Sequence, residues 1–393
     1  MRILYIVRHN PWGIGGGCYA CRCYLDAFTT VFADEQLDVC LCAEYLKDND
    51  NLNPNLNGNL YPNVHFVKVT ERSKVEKVLS PITGLLHRFD HTARRMLKSK
   101  KYDYCIFDHN SIAGPLVGLC KELGVKSVVI NHNCEYEYYR DNHSKLMRTM
   151  FLRHVRNAER NSCLGCDYNI FLTEEDKDLF EHLYGHSESN SIVTGCFDTD
   201  KGAWPQAADS KSMAPKLRLV ISGTIGNVQN MDGIDFFLKE LLPHIPKDAE
   251  VVVAGKNPPA DLASRIEMLN MQDSCAPVTL IPNPKDIMTI VCACDIFVCP
   301  TRLGGGLKLR VMDGLKAGLP VIAHQVSARG YSAFKKEGML WSFENNEDFR
   351  TCIHEVIKKL TEGSLKKSQI QNFAAQQFSL ESKVSMLKEF LTK

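Results

Sequence analysis

Short apolar runs recur along this chain, each closed by glycine, proline, asparagine or aspartate, and longer stretches with helical spacing separate most of them. Arg2–Val7 (RILYIV) is the first such run. Its unbroken apolar character predicts a parallel strand buried on both faces. The same pattern predicts strands at Val39–Cys42, Val64–Val69, Tyr104–Phe107, Val125–Ile130, Tyr168–Leu172 and Ser191–Val193. Helices are expected over Cys18 to about Phe32, His87–Lys98, Ala113–Leu123, Lys145–Arg160 and Glu174–Leu183. On the Lys145–Arg160 helix, Met147, Met150, Phe151 and Val155 form one stripe, and Lys145, Arg148, Arg153, Arg156 and Arg160 lie outside it. Lys47–Asn63 is an Asn-rich loop too polar to build a core.

Periodicity stops over Asp198–Lys216, where Gly, Pro, Ser and Ala gather as in an interdomain linker. A second alternation follows. Strands are expected at Leu217–Ser222, Glu250–Ala254, Val278–Ile281, Asp295–Cys299, Pro320–Ala323 and near Met339–Trp341. A polar loop is expected over Gly223–Gly233, with helices at Ile234–Leu242, Leu262–Asn270, Lys285–Ala293, Lys308–Ala317, Asn346–Leu360 and Glu381–Leu391. The fold class is therefore α/β, with two doubly wound, Rossmann-like domains. Their expected bounds are 1–198 and 217–375, with a linker at 199–216 and a final helix in 376–393 free to pack back on the first domain. Ligands of such sheets bind beyond the carboxyl ends of the strands, so two facing sets of strand ends make a cleft.

A length of 393 residues exceeds one ordinary core, and 44% hydrophobic with 24% charged residues is the balance of a soluble globular protein. A net charge of +1 gives no reason to expect nucleic acid as a partner. The 16 cysteines fall in apolar runs, which favours buried reduced thiols over a disulfide framework. Cys163 and Cys166 form a CxxC, and Cys18, Cys21 and Cys23 cluster in sequence, but no second pair completes a tetrahedral set, so no metal is expected. No apolar run reaches membrane-spanning length and the chain opens on a strand, so a cytoplasmic protein is expected.

Candidate chemistry concentrates in Asp295–Ala323, where Gly304, Gly305 and Gly306 join a strand to a helix. Missing Cβ atoms let a ligand approach the backbone, and the helix start turns free N–H groups and positive dipole toward it. Lys308 adds charge, Arg310 follows on another face, and Asp313 lies within reach of ligand hydroxyls. A diphosphate joined to a ribose fits this arrangement, and so does a plain crossover with surface cations. Gly15-Gly16-Gly17 forms a second such turn in the first half, without the G-x-G-x-x-G spacing of a dinucleotide site. His132 leaves a strand end, where a catalytic or binding group belongs; a loop-capping histidine is the bland alternative. Asp198-Thr199-Asp200 has the form of a metal-binding DxD, but its linker position favours turn chemistry.

These residues together resemble the family four glycosyltransferases of the two-Rossmann GT-B fold, most of all members that build bacterial surface polysaccharides. His132-Asn133-Cys134-Glu135 with Tyr138-Tyr139-Arg140 is similar to the family's His-Asn-Val-Glu segment, and Gly195-Cys196-Phe197-Asp198 to its linker motif. Ser222-Gly223-Thr224 and Asn230 are similar to its glycine loop and Pro-Asn segment. Gly304-Gly305-Gly306-Leu307-Lys308-Leu309-Arg310 resembles a triple-glycine variant of its donor site. Asp313 stands where the family's second glutamate holds the ribose, while Gly305 stands where the first meets the donor sugar.

The resemblance implies a hexosyltransferase-like enzyme that moves a sugar from a nucleotide diphosphate sugar to a glycan or lipid-linked glycan, with retention of configuration. It implies catalytic roles for His132 and Lys308 and a donor set of Gly16, Gly17, Gly223, Asn230, Lys256, Gly304, Gly305, Gly306, Leu307, Lys308 and Asp313. Asn133, Glu135 and Arg140 fall on the acceptor side. A helix terminus with a lysine can stand in for a divalent ion, so metal-independent transfer without a cofactor is expected. The basic helices leave room for peripheral contact at the inner face of a membrane. Two alternatives stay open: an epimerase or phosphorylase on the same scaffold, and a non-catalytic nucleotide-sugar-binding subunit.

Overall fold

The computed structural model describes residues 1–13, 15–42, 61–69, 73–83, 88–185, 190–198 and 216–392. The Asn-rich loop up to residue 60, the linker over 199–215 and the last two residues of the Asp198-Thr199-Asp200 motif lie outside the described residues. The chain divides into two compact units.

The strands of the first unit are β1 (Arg2–Val7), β2 (Gln36–Cys42), β3 (Val64–Val69), β4 (Tyr104–Asp108), β5 (Lys126–Asn131), β6 (Tyr168–Phe171) and β7 (Ser191–Val193). They form one sheet in the order β3-β2-β1-β4-β5-β6-β7, and every pairing is parallel. Its helices are α1 (Gly16–Val31), α2 (Lys74–Thr83), α3 (Phe89–Ser99), α4 (Asn110–Ala113), α5 (Val117–Glu122), α6 (Glu135–Asn142), α7 (Lys145–Gly165) and α8 (Glu174–Tyr184). Ile3 to Val7 are fully buried, as a central strand covered on both faces requires. Tyr5 meets Phe28 of α1 edge-on with ring centroids 5.6 Å apart.

In the second unit the strands are β8 (Arg218–Thr224), β9 (Glu250–Lys256), β10 (Val278–Pro282), β11 (Ile296–Cys299), β12 (Val321–His324) and β13 (Leu340–Phe343). Their order is β10-β9-β8-β11-β12-β13, again all parallel. The helices are α9 (Val228–Phe236), α10 (Leu262–Met271), α11 (Ile287–Cys292), α12 (Leu309–Lys316), α13 (Ser332–Lys336), α14 (Asn346–Thr361) and α15 (Lys367–Gln377). Phe237, Phe343 and Phe349 anchor a core cluster of this unit. The last helix, α16 (Leu380–Thr392), belongs to the first unit and packs on α1.

Several elements depart from the sequence pattern for visible reasons. The expected loop Gly223–Gly233 is largely α9, because Asn227 caps a helix there by accepting the Gln229 N–H at 2.9 Å. Gly233 is tolerated inside it because a Cβ would lie 2.9 Å from the Thr301 backbone. The single helix expected over Ala113–Leu123 breaks into α4 and α5 at Gly114-Pro115. There the backbone of α7 lies so near that a Cβ on Gly114 would sit 2.1 Å from the Ala158 carbonyl oxygen. Helices α2, α6, α13 and α15 escaped the periodicity reading, and α7 runs on to Gly165. Every described cysteine is a free thiol.

In each sheet the chain starts in the middle and turns both ways. β1 lies between β2 and β4, and β8 between β9 and β11. Crevices therefore open beyond the carboxyl ends of β1 and β4 in one unit and of β8 and β11 in the other.

Candidate functional site

In the second unit, β8 ends in Ser222-Gly223-Thr224 and β9, in parallel register, brings Lys256 beside Thr224. Gly223 has φ 139° and lies bare against a cation: a Cβ there would be 2.8 Å from Cζ of Arg310. Asn230, buried in α9, fixes that guanidinium. Its Nδ2 donates to the Thr224 carbonyl at 2.6 Å and its Oδ1 accepts from Arg310 Nη1 at 2.6 Å. Ser222, Pro300 and Thr301 complete a small pocket around these groups.

The glycine turn follows β11. Gly304 (φ 84°) and Gly306 (φ 67°) hold left-handed conformations that only glycine adopts without strain. A Cβ on Gly304 would lie 2.5 Å from the Gln229 amide, whereas one on Gly305 would meet nothing within 4 Å. Lys308 is the N-cap of α12 rather than a residue of its first turn, and its carbonyl accepts the Tyr331 hydroxyl at 3.0 Å. Arg310 and half-buried Asp313 stand three residues apart on α12, hence on one face. Arg310 stands outside the residues that the sequence motif marks for the site. Its spacing from Asp313 was the signal that could have found it.

In the first unit the crevice gathers Arg8 and His9 after β1, Asp108 and His109 at the end of β4, and His132 after β5. His132 Nε2 lies 2.5 Å from Asp108 Oδ1, and both side chains are almost wholly buried. Burial alone would raise the Asp108 carboxyl, but the charge and hydrogen bond of His132 outweigh it and hold it below its usual value. The other oxygen, Oδ2, has no hydrogen-bond partner. Burial, with Arg8 close by, lowers both His9 and His109 to about 4, so each is neutral near pH 7. The three imidazoles lie in a row, 6.4 Å from His9 to His109 and 5.5 Å from His109 to His132.

His109 sits at φ 155°, ψ 139°, a conformation rarely taken by anything but glycine. The surroundings hold it there: Arg8 Nη1 is 2.8 Å from its Nδ1 and Glu135 Oε1 is 3.2 Å from its Nε2. Glu135 also pairs with Arg8 at 3.4 Å. Glu159 organises the segment behind His132. Its carboxylate accepts the N–H groups of Glu135 (2.7 Å) and Tyr136 (3.2 Å), the Tyr184 hydroxyl (2.7 Å) and Asn110 Nδ2 (2.9 Å). Burial nevertheless raises it to about 7.

Of the residues expected on the acceptor side, Glu135 joins this cluster, and the Asn133 carbonyl accepts Asn110 Nδ2 at 3.3 Å beside it. Arg140 does not. It stands further along α6, partly exposed, and pairs with Asp141 and Glu137. Gly16 and Gly17 open α1, and Gly17 carries the His9 ring, which would lie 3.1 Å from a Cβ. Cys21 is brought to the Asp108–His132 pair, with all three donor atoms within 4.8 Å of one another. Spacing in sequence could not reveal that set. The direct Asp108–His132 bond already occupies its ring nitrogen, and burial with the Asp108 charge drives the Cys21 thiol far up, so it is neutral.

Residues 218–359 match the family model for group 1 glycosyl transferases. No curated protein matches in sequence. Among solved structures, HepE of Anabaena in complex with UDP is similar over the whole of both chains at 14% identity, with a TM-score of 0.64. WaaG, a glycosyltransferase involved in lipopolysaccharide biosynthesis, is similar over the whole of both chains at 14% identity, TM-score 0.62. Sucrose-phosphate synthase of Thermosynechococcus elongatus gives 0.70 at 13% identity, over the whole of this chain and 98% of that one. At these identities the likeness is one of fold.

Proposed function

We propose that this chain, a GT-B protein whose second unit is a group 1 glycosyl transferase domain, moves a sugar from a nucleotide diphosphate sugar to a hydroxyl of a glycan or lipid-linked glycan. One observation carries the reading furthest. A guanidinium is locked by Asn230 against the bare backbone of Gly223, at the same strand ends as the glycine turn, Lys308 and Asp313. Arg310, Lys308 and the N–H groups at the start of α12 are fixed positive groups, and negative charge grows on the diphosphate as the sugar–phosphate bond breaks. Stabilising that charge with donors already in place is the expected main term in the rate. Asp313, one turn from Arg310, takes the ribose hydroxyls.

His132 spends Nε2 on Asp108 and keeps Nδ1 for a hydroxyl of the sugar in transfer. Its Asp108 partner orients the ring as a carboxylate orients a catalytic histidine. Gly305 leaves open space where a glutamate would contact the donor sugar, so the sugar is recognised by other groups. HepE binds UDP and UDP-glucose, which makes uridine diphosphate sugars the first donors to test. We assign the protein to polysaccharide or glycoconjugate assembly, with retention of configuration, in the cytoplasm and in part at the inner face of a membrane.

The test is a thermal-shift screen of nucleotide diphosphate sugars, followed by turnover with lipid-linked acceptors in the presence of EDTA. A stabilising donor and EDTA-insensitive transfer are expected. Activity lost in EDTA and restored by manganese would overturn the metal-independent part.

A further inference from the structure

Two helices at one edge of the first unit leave apolar faces in water. On α2, Val75, Val78, Leu79 and Ile82 follow the spacing of a single helical stripe, yet Val78 is 74% and Ile82 79% exposed. On α7, Leu146 is 69% exposed, and Met147 and Met150 are exposed beside it. The two helices touch one another. An amphipathic helix with its apolar side turned outward has given up the burial that normally stabilises it, and such patches mark interaction surfaces.

The length of α7 explains the overhang. Gly165 leads into the start of β6, so the helix runs back against the strands. Its 21 residues span about 31 Å. The six residues of β5 span about 20 Å. Val155, Ala158, Glu159, Ser162 and Cys163 are buried on the body of the unit, while 145–150 are exposed all round. The exposed end therefore lies at the carboxyl edge of the sheet, the edge that carries Asp108 and His132.

Charge selects the occupant. Lys74 and Lys77 flank the α2 stripe, and Lys145, Arg148, Arg153 and Arg156 flank that of α7. Few acids oppose them on these helices: Glu76 lies against His91 at 3.1 Å, and Glu159 is fully buried. On neighbouring α6, Arg140 pairs with both Glu137 and Asp141, which leaves a single negative charge there against the lysines and arginines. Aliphatic side chains and methionines ringed by lysine and arginine suit the headgroup layer of an anionic bilayer, which takes an apolar helix face to a depth of about 5–10 Å.

We propose that the α2–α7 face docks the first unit on an anionic lipid surface, holding its strand ends over the membrane that carries the acceptor. The inference deepens the reading of a lipid-linked acceptor, but its measurement needs no turnover, so the two can fail separately. The full chain is to be floated with vesicles of phosphatidylcholine alone or with one quarter phosphatidylglycerol. Binding only to the anionic vesicles is expected, weakened by salt. It should fall at least tenfold in Val78→Asp/Ile82→Asp and in Leu146→Asp/Met150→Asp, with circular dichroism unchanged. Arg148→Glu/Arg153→Glu should weaken binding without touching an apolar side chain. Turnover on a short water-soluble acceptor should not change in any of these. No binding to anionic vesicles, or binding indifferent to all three variants, overturns the proposal. So does a dimer in sedimentation that the aspartate variants dissociate, which would make a second copy the occupant.

Discussion

Two buried acids shape the first unit in opposite ways. Asp108 stays ionised because His132 is bonded to it, whereas Glu159 rises to about 7 although five donors, the Cys134 thiol among them, face it. For Glu159 the folded value lies above the unfolded 4.5, so its contribution to stability is full below about 4.5 and is lost as pH rises through 7. The loss is on the order of 3 kcal/mol. Glu159→Gln keeps the neutral form at every pH. Thermal melts from pH 5 to pH 8 should therefore show the wild type losing ground steadily to the variant, and a constant gap would contradict the assignment. Asp108→Asn is predicted to lower kcat by about 10- to 100-fold with little change in KM for the donor, the behaviour of a group that orients a catalytic base or acid. A rise in donor KM alone would place Asp108 outside transfer.

At the level of elements, β-strands were the most legible part of the chain. Unbroken apolar runs closed by turn residues found every described strand, and the ends moved by a few residues at most. Helices were read less well where their apolar side has no core to meet. α2 buries none of its stripe, α6 buries only Glu135, and α15 turns in only Ile370 and Ala374, too short a pattern to stand out. The glycine turn was legible as a turn, but the unequal demands on its glycines were not, since they depend on Gln229 approaching from α9. Gly304→Ala meets both a left-handed backbone and that side chain, costing about 1–2 kcal/mol of local strain. It should weaken nucleotide binding clearly. Gly305→Ala enters open space and should bind as the wild type does. Equal effects in a calorimetric titration would mean the turn is shaped by something other than these contacts.

Across the whole molecule, the two-domain α/β plan was legible from one alternation followed by a break and another. The candidate site was legible only in part. Residues close together in the chain, such as Lys308 and Asp313, could be placed at one turn and helix from spacing. Asp108 and His132 are 24 residues apart and meet because β4 and β5 are adjacent, and Arg310 meets Gly223 because β8 lies beside β11. Such pairings belong to sheet order, which a single sequence does not display. Arg140 was drawn in by its neighbours in the motif and lies outside the cluster.

The proposed function needs a diphosphate site in the second unit with Arg310 at its centre. Calorimetric titration of the wild type and of Arg310→Ala with UDP, in the presence of EDTA, addresses that directly. Saturable 1:1 binding by the wild type is predicted, weakened by 10- to 100-fold in Arg310→Ala, in line with about 1.5–3 kcal/mol for a hydrogen bond to a charged group. Should both UDP and GDP fail to bind, or bind with unchanged affinity after the arginine is removed, the crevice beside Gly223 is not where the donor is held.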